Sequence, residues 1–286
     1  MELPGKKIAL MMQKLLKKEI KRLKKKKKLK LTTFLVGDSA DQRSFVRSKA
    51  KVAKKLGILF ELVHMKTAPS FETFMHKLRE KSDDPSVTGI IIQQPLPAQL
   101  STSSIYDYIP DKKEIEAHKR KSPFLPPIGL AVLTTLSYFF TEEKLSEKLI
   151  TNLLKDRISF KRIFRNKKVV LVGRGVTGGQ PIGKTLNDAK VNYINVNSQT
   201  PDAHLYFKEA DVIITAVGKK VIKPEDLKPG VALINVGLRR EKGNLKGDYD
   251  EHEVKDIAGF YTPTPGGVGP IDVLYLFKNL IDSALM

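Results

Sequence analysis

Lysine, glutamine and glycine are the residues whose placement in this sequence could do chemistry. The first is Lys49, in the stretch SFVRSKAKVAKKLGI that begins at Ser44. Residues 43–56 are drawn as a helix turning about 100° per residue, with Phe45 at zero. Val52, Leu56, Ala53, Val46 and Ala50 then span an arc from about −20° to about 140°. Arg47, Lys51, Lys54 and Lys55 fall between about 180° and 280°, on a solvated side. Lys49 falls at about 40°, inside the apolar arc. A buried ammonium is costly unless it is paired or used. Two readings follow. Lys49 either sits in a buried salt bridge or is a functional lysine at the base of a cleft, where desolvation makes it a proton acceptor near neutral pH.

The glutamines end a strand pattern. GIIIQQPLP runs from four apolar-strand residues into Gln93, Gln94 and two prolines. Polar amides at the C-terminal end of a strand stand where open α/β sheets bind ligands. The glycines lie in KVVLVGRGVTGGQP, where an apolar strand runs into Gly173-x-Gly175-x-x-Gly178 and a helical pattern follows Pro181. The first glycine permits a tight turn, the second lets backbone approach a pyrophosphate, and the helix start supplies free N–H groups. The next strand, NYINV, ends in NSQT, with no acid to hold the ribose hydroxyls of NAD. Arg174 and Ser198 suit a 2′-phosphate, which points to NADP, while Asp202 keeps NAD open. A second glycine-proline cluster, PTPGGVGPID, closes the chain and implies close backbone approach or plain turn chemistry.

These groups need a scaffold. Seven short apolar or β-branched runs alternate with helical patterns: LTTFLV, LFELV, TGIIIQ, KVVLVG, NYINV, DVIITAVG and VALINVG. That alternation predicts an α/β protein with mainly parallel sheets and helices on both faces. The boundary between two lobes is expected around 135–165. With 286 residues, 41 % of them apolar, the chain can bury a substantial core. It has no cysteine, which excludes disulfides and thiolate chemistry. The five histidines, His64, His76, His118, His204 and His252, show no metal-ligand spacing. No apolar run is long enough to span a bilayer, and MELPGKKIAL lacks a leader's apolar region, so a cytoplasmic protein is expected. The formal charge of +20 is concentrated in KLLKKEIKRLKKKKKLK, Lys14–Lys30. Ile8, Met12, Leu15, Ile20 and Leu23 give it a helical apolar stripe, so a solvated cationic face is the plain reading. A polyanion surface is the other, although the aromatics of a base-stacking surface are missing.

Across nearly its whole length the sequence resembles the bifunctional methylenetetrahydrofolate dehydrogenase/methenyltetrahydrofolate cyclohydrolase family (FolD type). VGDSADQRSFVRSKAKVAKKLGI is similar to the family's V-G-x-x-x-x-S-x-x-Y-V-x-x-K-x-K, and GIIIQQPLP to G-I-L-V-Q-L-P-L-P. IPDKKEIEA is similar to I-P-x-K-D-V-D-G, VGRGVTGGQP to V-G-R-S-x-I-V-G-x-P, and PGGVGPID to P-G-G-V-G-P-M-T. The resemblance implies two lobes with a cleft between them. Residues 1–135 with the C-terminal helix 270–286 would be the folate-binding catalytic domain, and 150–268 the Rossmann-type NAD(P)-binding domain. It implies oxidation of 5,10-methylenetetrahydrofolate by NADP+, then hydrolysis of the methenyl cation to 10-formyltetrahydrofolate. Lys49 would carry the proton transfer, Gln93 would tune it, and Phe45 would stack on the substrate. Glu116 would grip the pterin, and Pro95, Leu96, Pro265, Gly266, Gly267 and Asp272 would complete the folate contacts. The cofactor would meet Gly173, Arg174, Gly175, Gly178 and Ser198. Thr200, Gly218, Gly237 and Leu238 would complete that set. A homodimer is also implied, and neither a membrane nor a nucleic-acid partner is expected.

The departures from the family's pattern cluster around the folate residues. Phe45 replaces tyrosine, Glu116 aspartate, Ala117 glycine, Gly175 serine and Asp272 threonine. The segment Ser137–Arg165 replaces a shorter link. These changes open a second reading, a divergent paralogue with one activity or neither. The lysine run opens a third, a basic nucleic-acid-binding protein on the same fold.

Overall fold

The computed structural model describes residues 1–23 and 28–286; Lys24–Lys27, the middle of the lysine run, lie outside the described residues. The first half holds α1 (Gly5–Leu23), β1 (Lys30–Val36), α2 (Ala40–Leu56), β2 (Leu59–Met65), α3 (Phe71–Asp83) and β3 (Gly89–Ile92). Then come α4 (Pro127–Phe140), α5 (Leu153–Phe164), β4 (Val169–Val172), α6 (Gly179–Asp188), β5 (Ile194–Val196), α7 (Ala203–Glu209) and β6 (Val212–Thr215). The chain ends with β7 (Ala232–Asn235), β8 (Arg239–Glu241), β9 (Asn244–Lys246), α8 (Glu251–Val254), β10 (Phe260–Tyr261) and α9 (Val268–Ser283). All seven expected strands form. No helix among the described residues is long and apolar enough to cross a membrane.

Two compact units result: residues 13–127 with 273–286, and residues 1–12 with 128–272. The division differs from the expected one at residues 1–12, 128–135 and 270–272, which belong with the second sheet. Leu3 N donates to Tyr261 O (2.9 Å) and Tyr261 N to Met1 O (3.0 Å), so the first residues extend the β10 edge. Gly129 belongs there because a Cβ on it would lie 2.0 Å from Thr185 Oγ1, so α4 meets α6 at contact too close for a side chain.

In the unit of residues 13–127 and 273–286, three parallel strands are ordered β2-β1-β3. Central β1 is buried along nearly its whole length, as a strand covered on both faces must be, and edge strand β2 is half-exposed. Phe34, Phe74, Leu78, Ile90, Ile92 and Ile105 build its core. Helix α2 ends at Gly57, whose φ of 69° is left-handed and reverses the chain into β2. The C-terminal helix closes the unit: Ser283 Oγ donates to Thr88 O (3.0 Å), and Gly89 leaves room for Leu280. Along α1, whose first residues up to Met12 belong to the other unit, Ile8, Met12, Leu16 and Ile20 are buried at intervals of four, with Leu16 in the place expected for Leu15. The described lysines Lys14, Lys17, Lys18 and Lys21 are exposed, which is the solvated face of the plain reading.

In the other unit, five parallel strands are ordered β10-β7-β6-β4-β5. Strands β4, β6 and β7 are fully buried. The chain leaves β4 toward β5 on one side and returns to β6 on the other, so the order reverses at β4. Helix α4 is apolar all round and its residues Leu130–Leu133, Leu136 and Phe139 are buried. Phe139 stacks on Phe260 with centroids 4.8 Å apart, and Phe140 meets Phe164 of α5 at 5.3 Å. The segment Ser137–Arg165 is thus the end of α4 and all of α5, packed by aromatics near the β10 edge. The antiparallel pair β8–β9 was not anticipated; three-residue strands of mainly polar residues carry no alternation to read.

Candidate active site

Lys49 lies on α2, and only 13 % of its side chain is exposed. The buried residues of α2 are Gln42, Val46, Ala53 and Leu56, centred slightly away from Phe45, which is 41 % exposed. The buried arc is thus narrower than the apolar one, about 20° to 100°, about the same centre: Lys49 stays inside it, and Phe45 stands at its rim one turn earlier. Lys49 Nζ donates to Gln93 Oε1 (3.1 Å) and to Glu116 Oε1 (3.2 Å). Both readings of Lys49 meet in this contact. It is a largely buried salt bridge, and its partners are the two residues that the family resemblance marked.

Three elements set that convergence. Gln93 follows β3, its N–H held by Phe34 O (2.9 Å) at the C-terminal edge of the sheet. Its own amide donates to Gln94 O (2.9 Å), which leaves Oε1 facing the lysine. Glu116 comes from a segment that runs parallel to β3, with Ile90 N donating to Lys113 O (2.8 Å). Asn279 of α9 holds the same segment, donating to Ile115 O (2.8 Å) and Leu125 O (3.0 Å). Buried Gln42 donates to Pro95 O (2.6 Å), tying the cis-proline turn to α2. Leu96 is buried in the core of the unit.

The charge arrangement explains how a carboxylate survives here. Burial raises the Glu116 carboxyl, but Lys49 and, on the other side, His118 outweigh it and hold it down to about 2. His118 Nε2 lies 3.6 Å from Glu116 Oε2, the oxygen Lys49 does not take. The His118 ring stacks on Tyr106 at 4.4 Å, and Tyr106 OH accepts from Gln94 Nε2 (2.9 Å). Beneath them Glu114 accepts the N–H groups of Glu116 (3.1 Å) and Lys119 (3.4 Å), and burial pushes its carboxyl up. Between Glu116 and His118, Ala117 adopts φ 63°, a conformation that favours glycine.

The second cluster of expected residues belongs to the other unit and lies at the C-terminal ends of its parallel strands. Gly173 follows β4 with φ 112°, and a Cβ there would lie 2.7 Å from Ala216 O. Gly179 opens α6, and its Cβ would lie 2.3 Å from Gly173 O. Between them Arg174, Gly175 and Val176 are exposed, and Gly178 caps the helix start. After β5, Thr200 closes a turn with Asn197, and Ser198 is exposed on it. After β6, Gly218 has φ 75°, and after β7 come Gly237 and half-exposed Leu238. Asp248 ties these last two loops together. It accepts from Val217 N (2.9 Å) and Gly218 N (2.8 Å), and a Cβ on Gly237 would strike it at 2.2 Å. Bare backbone at the ends of β4, β6 and β7, with the polar turn after β5 beside the order reversal, is the shape that receives a dinucleotide. In the same unit Gly266 turns with φ 109° beside the Lys6 stem, and Gly267 presses on Gly5; Pro265 precedes them, and Asp272 is half-buried on α9.

Gln42, His118, Asn279 and Asp248 were missed in the sequence. Gln42 had a signal, since it projects at about 60° onto the same arc as Lys49. Among the described residues no group of three acids or histidines could hold a metal.

Comparison with known proteins agrees with this geometry. Residues 3–116 match the catalytic domain of the tetrahydrofolate dehydrogenase/cyclohydrolase family, and residues 148–286 match its NAD(P)-binding domain. The bifunctional protein FolD of Staphylococcus haemolyticus is 32 % identical over 98 % of this chain and 95 % of its own. The crystal structure of the Campylobacter jejuni bifunctional enzyme FolD superposes with a TM-score of 0.85 at 28 % identity, covering 100 % and 98 % of the two chains. A 5,10-methylenetetrahydrofolate dehydrogenase from the silkworm Bombyx mori gives a TM-score of 0.82 at 28 % identity, over 99 % and 96 %.

Proposed function

This chain belongs to the tetrahydrofolate dehydrogenase/cyclohydrolase family, and from that premise we propose that it oxidises 5,10-methylenetetrahydrofolate and then hydrolyses the methenyl product to 10-formyltetrahydrofolate. The observation that carries the reading is Lys49 Nζ, held between Gln93 Oε1 at 3.1 Å and Glu116 Oε1 at 3.2 Å on a largely buried helix face. In the hydrolytic step, water forms a C–O bond to the cationic methenyl carbon and gives up a proton to Lys49 in its uncharged amine form, which thereby becomes the ammonium that pairs with Glu116. The C–N5 bond then breaks, N5 takes a proton, and the remaining hydroxyl proton leaves to give the N10-formyl group. Gln93 fixes the direction of the amine. Glu116, with two carboxylate oxygens, accepts the paired N–H groups of the pterin. Phe45 offers its exposed ring to the substrate's face. Pro95 and Leu96 shape the turn behind the pterin, and Pro265, Gly266, Gly267 and Asp272 would add folate contacts.

The nicotinamide cofactor, when bound, accepts the hydride. The residues present suit it: Gly173, Gly175 and Gly178 with the start of α6 would receive the pyrophosphate. Thr200, Gly218, Gly237 and Leu238 would line the rest. Exposed Arg174 and Ser198 select NADP, so Arg174→Ala should weaken NADP binding about tenfold and NAD binding far less. Equal losses would remove the 2′-phosphate assignment. A homodimer and a cytoplasmic location go with this reading. The test of the whole is a coupled assay on purified protein, following NADPH formation and methenyl-folate decay separately. Formation without decay identifies a dehydrogenase alone, and the absence of both signals refutes the proposal.

A further inference from the structure

Glu116 has two carboxylate oxygens, and the structure gives them different partners. Oε1 faces Lys49 at 3.2 Å and Oε2 faces His118 Nε2 at 3.6 Å. His118 is itself fixed: its ring lies nearly parallel to Tyr106, with centroids 4.4 Å apart and planes at 23°. Tyr106 is buried, and its hydroxyl accepts from Gln94, the neighbour of Gln93. The left-handed turn at Ala117 brings Glu116 and His118, two residues apart, to bear on one another. An unclamped carboxylate could rotate; this one has a hydrogen-bonded ammonium at one oxygen and an imidazole at ion-pair distance from the other.

We propose that His118 is a positioning residue of the folate site, setting the orientation of the Glu116 carboxylate through Oε2 while Lys49 holds Oε1. The proposal rests on the reading of Glu116 as the pterin-holding group and adds a pH-dependent control to it. The charged and titratable groups around His118 are Glu116 and Glu114 from its own segment, Lys49 from α2, and Tyr106 from the turn at residues 103–108. Burial and Lys49 oppose protonation of the ring, but Glu116 and Glu114 outweigh them and raise it above the ordinary histidine value. His118 is thus a cation below that raised value and grips Glu116 most firmly there; above it the grip weakens.

The test has two arms. In the first, the imidazole of His118 is titrated by NMR in the wild-type chain and in Glu116→Gln. A clear downward shift in the variant supports the coupling, and an unchanged titration overturns it, whether or not the protein turns over folate. The second arm measures the folate KM against pH. In the wild type KM should rise about three- to tenfold above the His118 titration, with kcat moving much less. His118→Leu should carry the raised KM at every pH, and His118→Gln, which keeps a donor, should restore a low KM that no longer depends on pH. Wild-type KM and pH profile in His118→Leu would overturn the proposal. A wild-type protein that neither binds nor converts folate refutes the functional reading instead, and the NMR arm alone then decides the coupling.

Discussion

The candidate residues at the end of β3 act through side chains, and those at the ends of β4, β6 and β7 act through backbone. In the first region Lys49, Gln93, Glu116 and His118 fix one another by charge and hydrogen bonds. Remove Glu116 and the largely buried Lys49 loses its counter-charge. In the second, Gly173, Gly179, Gly218 and Gly237 contribute the absence of a side chain, and positive φ or close contact reserves most of these places for glycine. The two regions should therefore fail differently. The side-chain region should respond to charge and pH, and the backbone region to added volume.

The largest effect is expected at Lys49. Lys49→Met keeps the apolar stem and removes the amine, so the hydrolytic step should slow roughly 10²–10⁴-fold. Hydride transfer needs no such proton and should fall far less, so methenyl-folate should accumulate while NADPH still forms. Equal loss of both steps would assign Lys49 to shaping the pocket rather than moving a proton.

Glu116→Gln tests the charge side of the comparison next. In the fold its carboxyl is held at about 2, well below the ordinary value of 4.5. A depressed carboxyl contributes stability that is present above pH 4.5 and lost as the pH falls toward 2. Removing the charge should cost about 3 kcal/mol at neutral pH, as an upper figure, and should flatten the acid limb of unfolding followed by circular dichroism. An unchanged acid limb would mean that the Lys49 and His118 contacts do not hold the carboxylate.

The backbone region is probed by a pair of substitutions two residues apart. Gly173→Ala places a Cβ 2.7 Å from Ala216 O at φ 112° and should cost about 2 kcal/mol, with loss of dinucleotide binding. Gly175→Ser meets nothing within 4 Å and should change stability by less than about 0.5 kcal/mol. Thermal melts with and without NADP distinguish the two. Equal destabilisation would show that the loop is not shaped by glycine.

The same contrast governs what was legible. The backbone region announced itself, because glycine spacing after a strand is a local signal, and all seven strands followed from apolar runs. Lys49 was legible from one helix projection and Gln93 from its place at a strand end. Glu116 was reached only through family resemblance, since nothing in KKEIEAHK distinguishes one glutamate from another. His118 was passed over because its place depends on the turn at Ala117 and on Tyr106, twelve residues upstream, neither visible as periodicity. Asp248 and Asn279 hold loops by contacts 30 and 164 residues away in sequence, which no window contains. Phe45, the zero of that projection, lies at the rim of the covered face, which is centred nearer Val46 and Ala53.

The smallest effect is expected at Ala117, where the side-chain region borrows the device of the backbone region without using glycine. Its φ of 63° lies in the left-handed region, which costs an alanine about 1 kcal/mol relative to glycine. Glycine would relieve that cost but would add freedom to the unfolded chain and lose a buried methyl, each worth a good part of 1 kcal/mol. The balance predicts a change within about 0.5 kcal/mol for Ala117→Gly, or a melting shift of no more than about 2 °C. Activity should respond more than stability does. Glycine loosens the hinge between Glu116 and His118, so the folate KM should rise a few-fold while the melting temperature hardly moves. A large gain in stability with unchanged KM would mean that Ala117 is strained for no purpose. A raised KM at constant stability would mean that the alanine serves as a stiffener, holding by its methyl what Lys49 and His118 hold by charge.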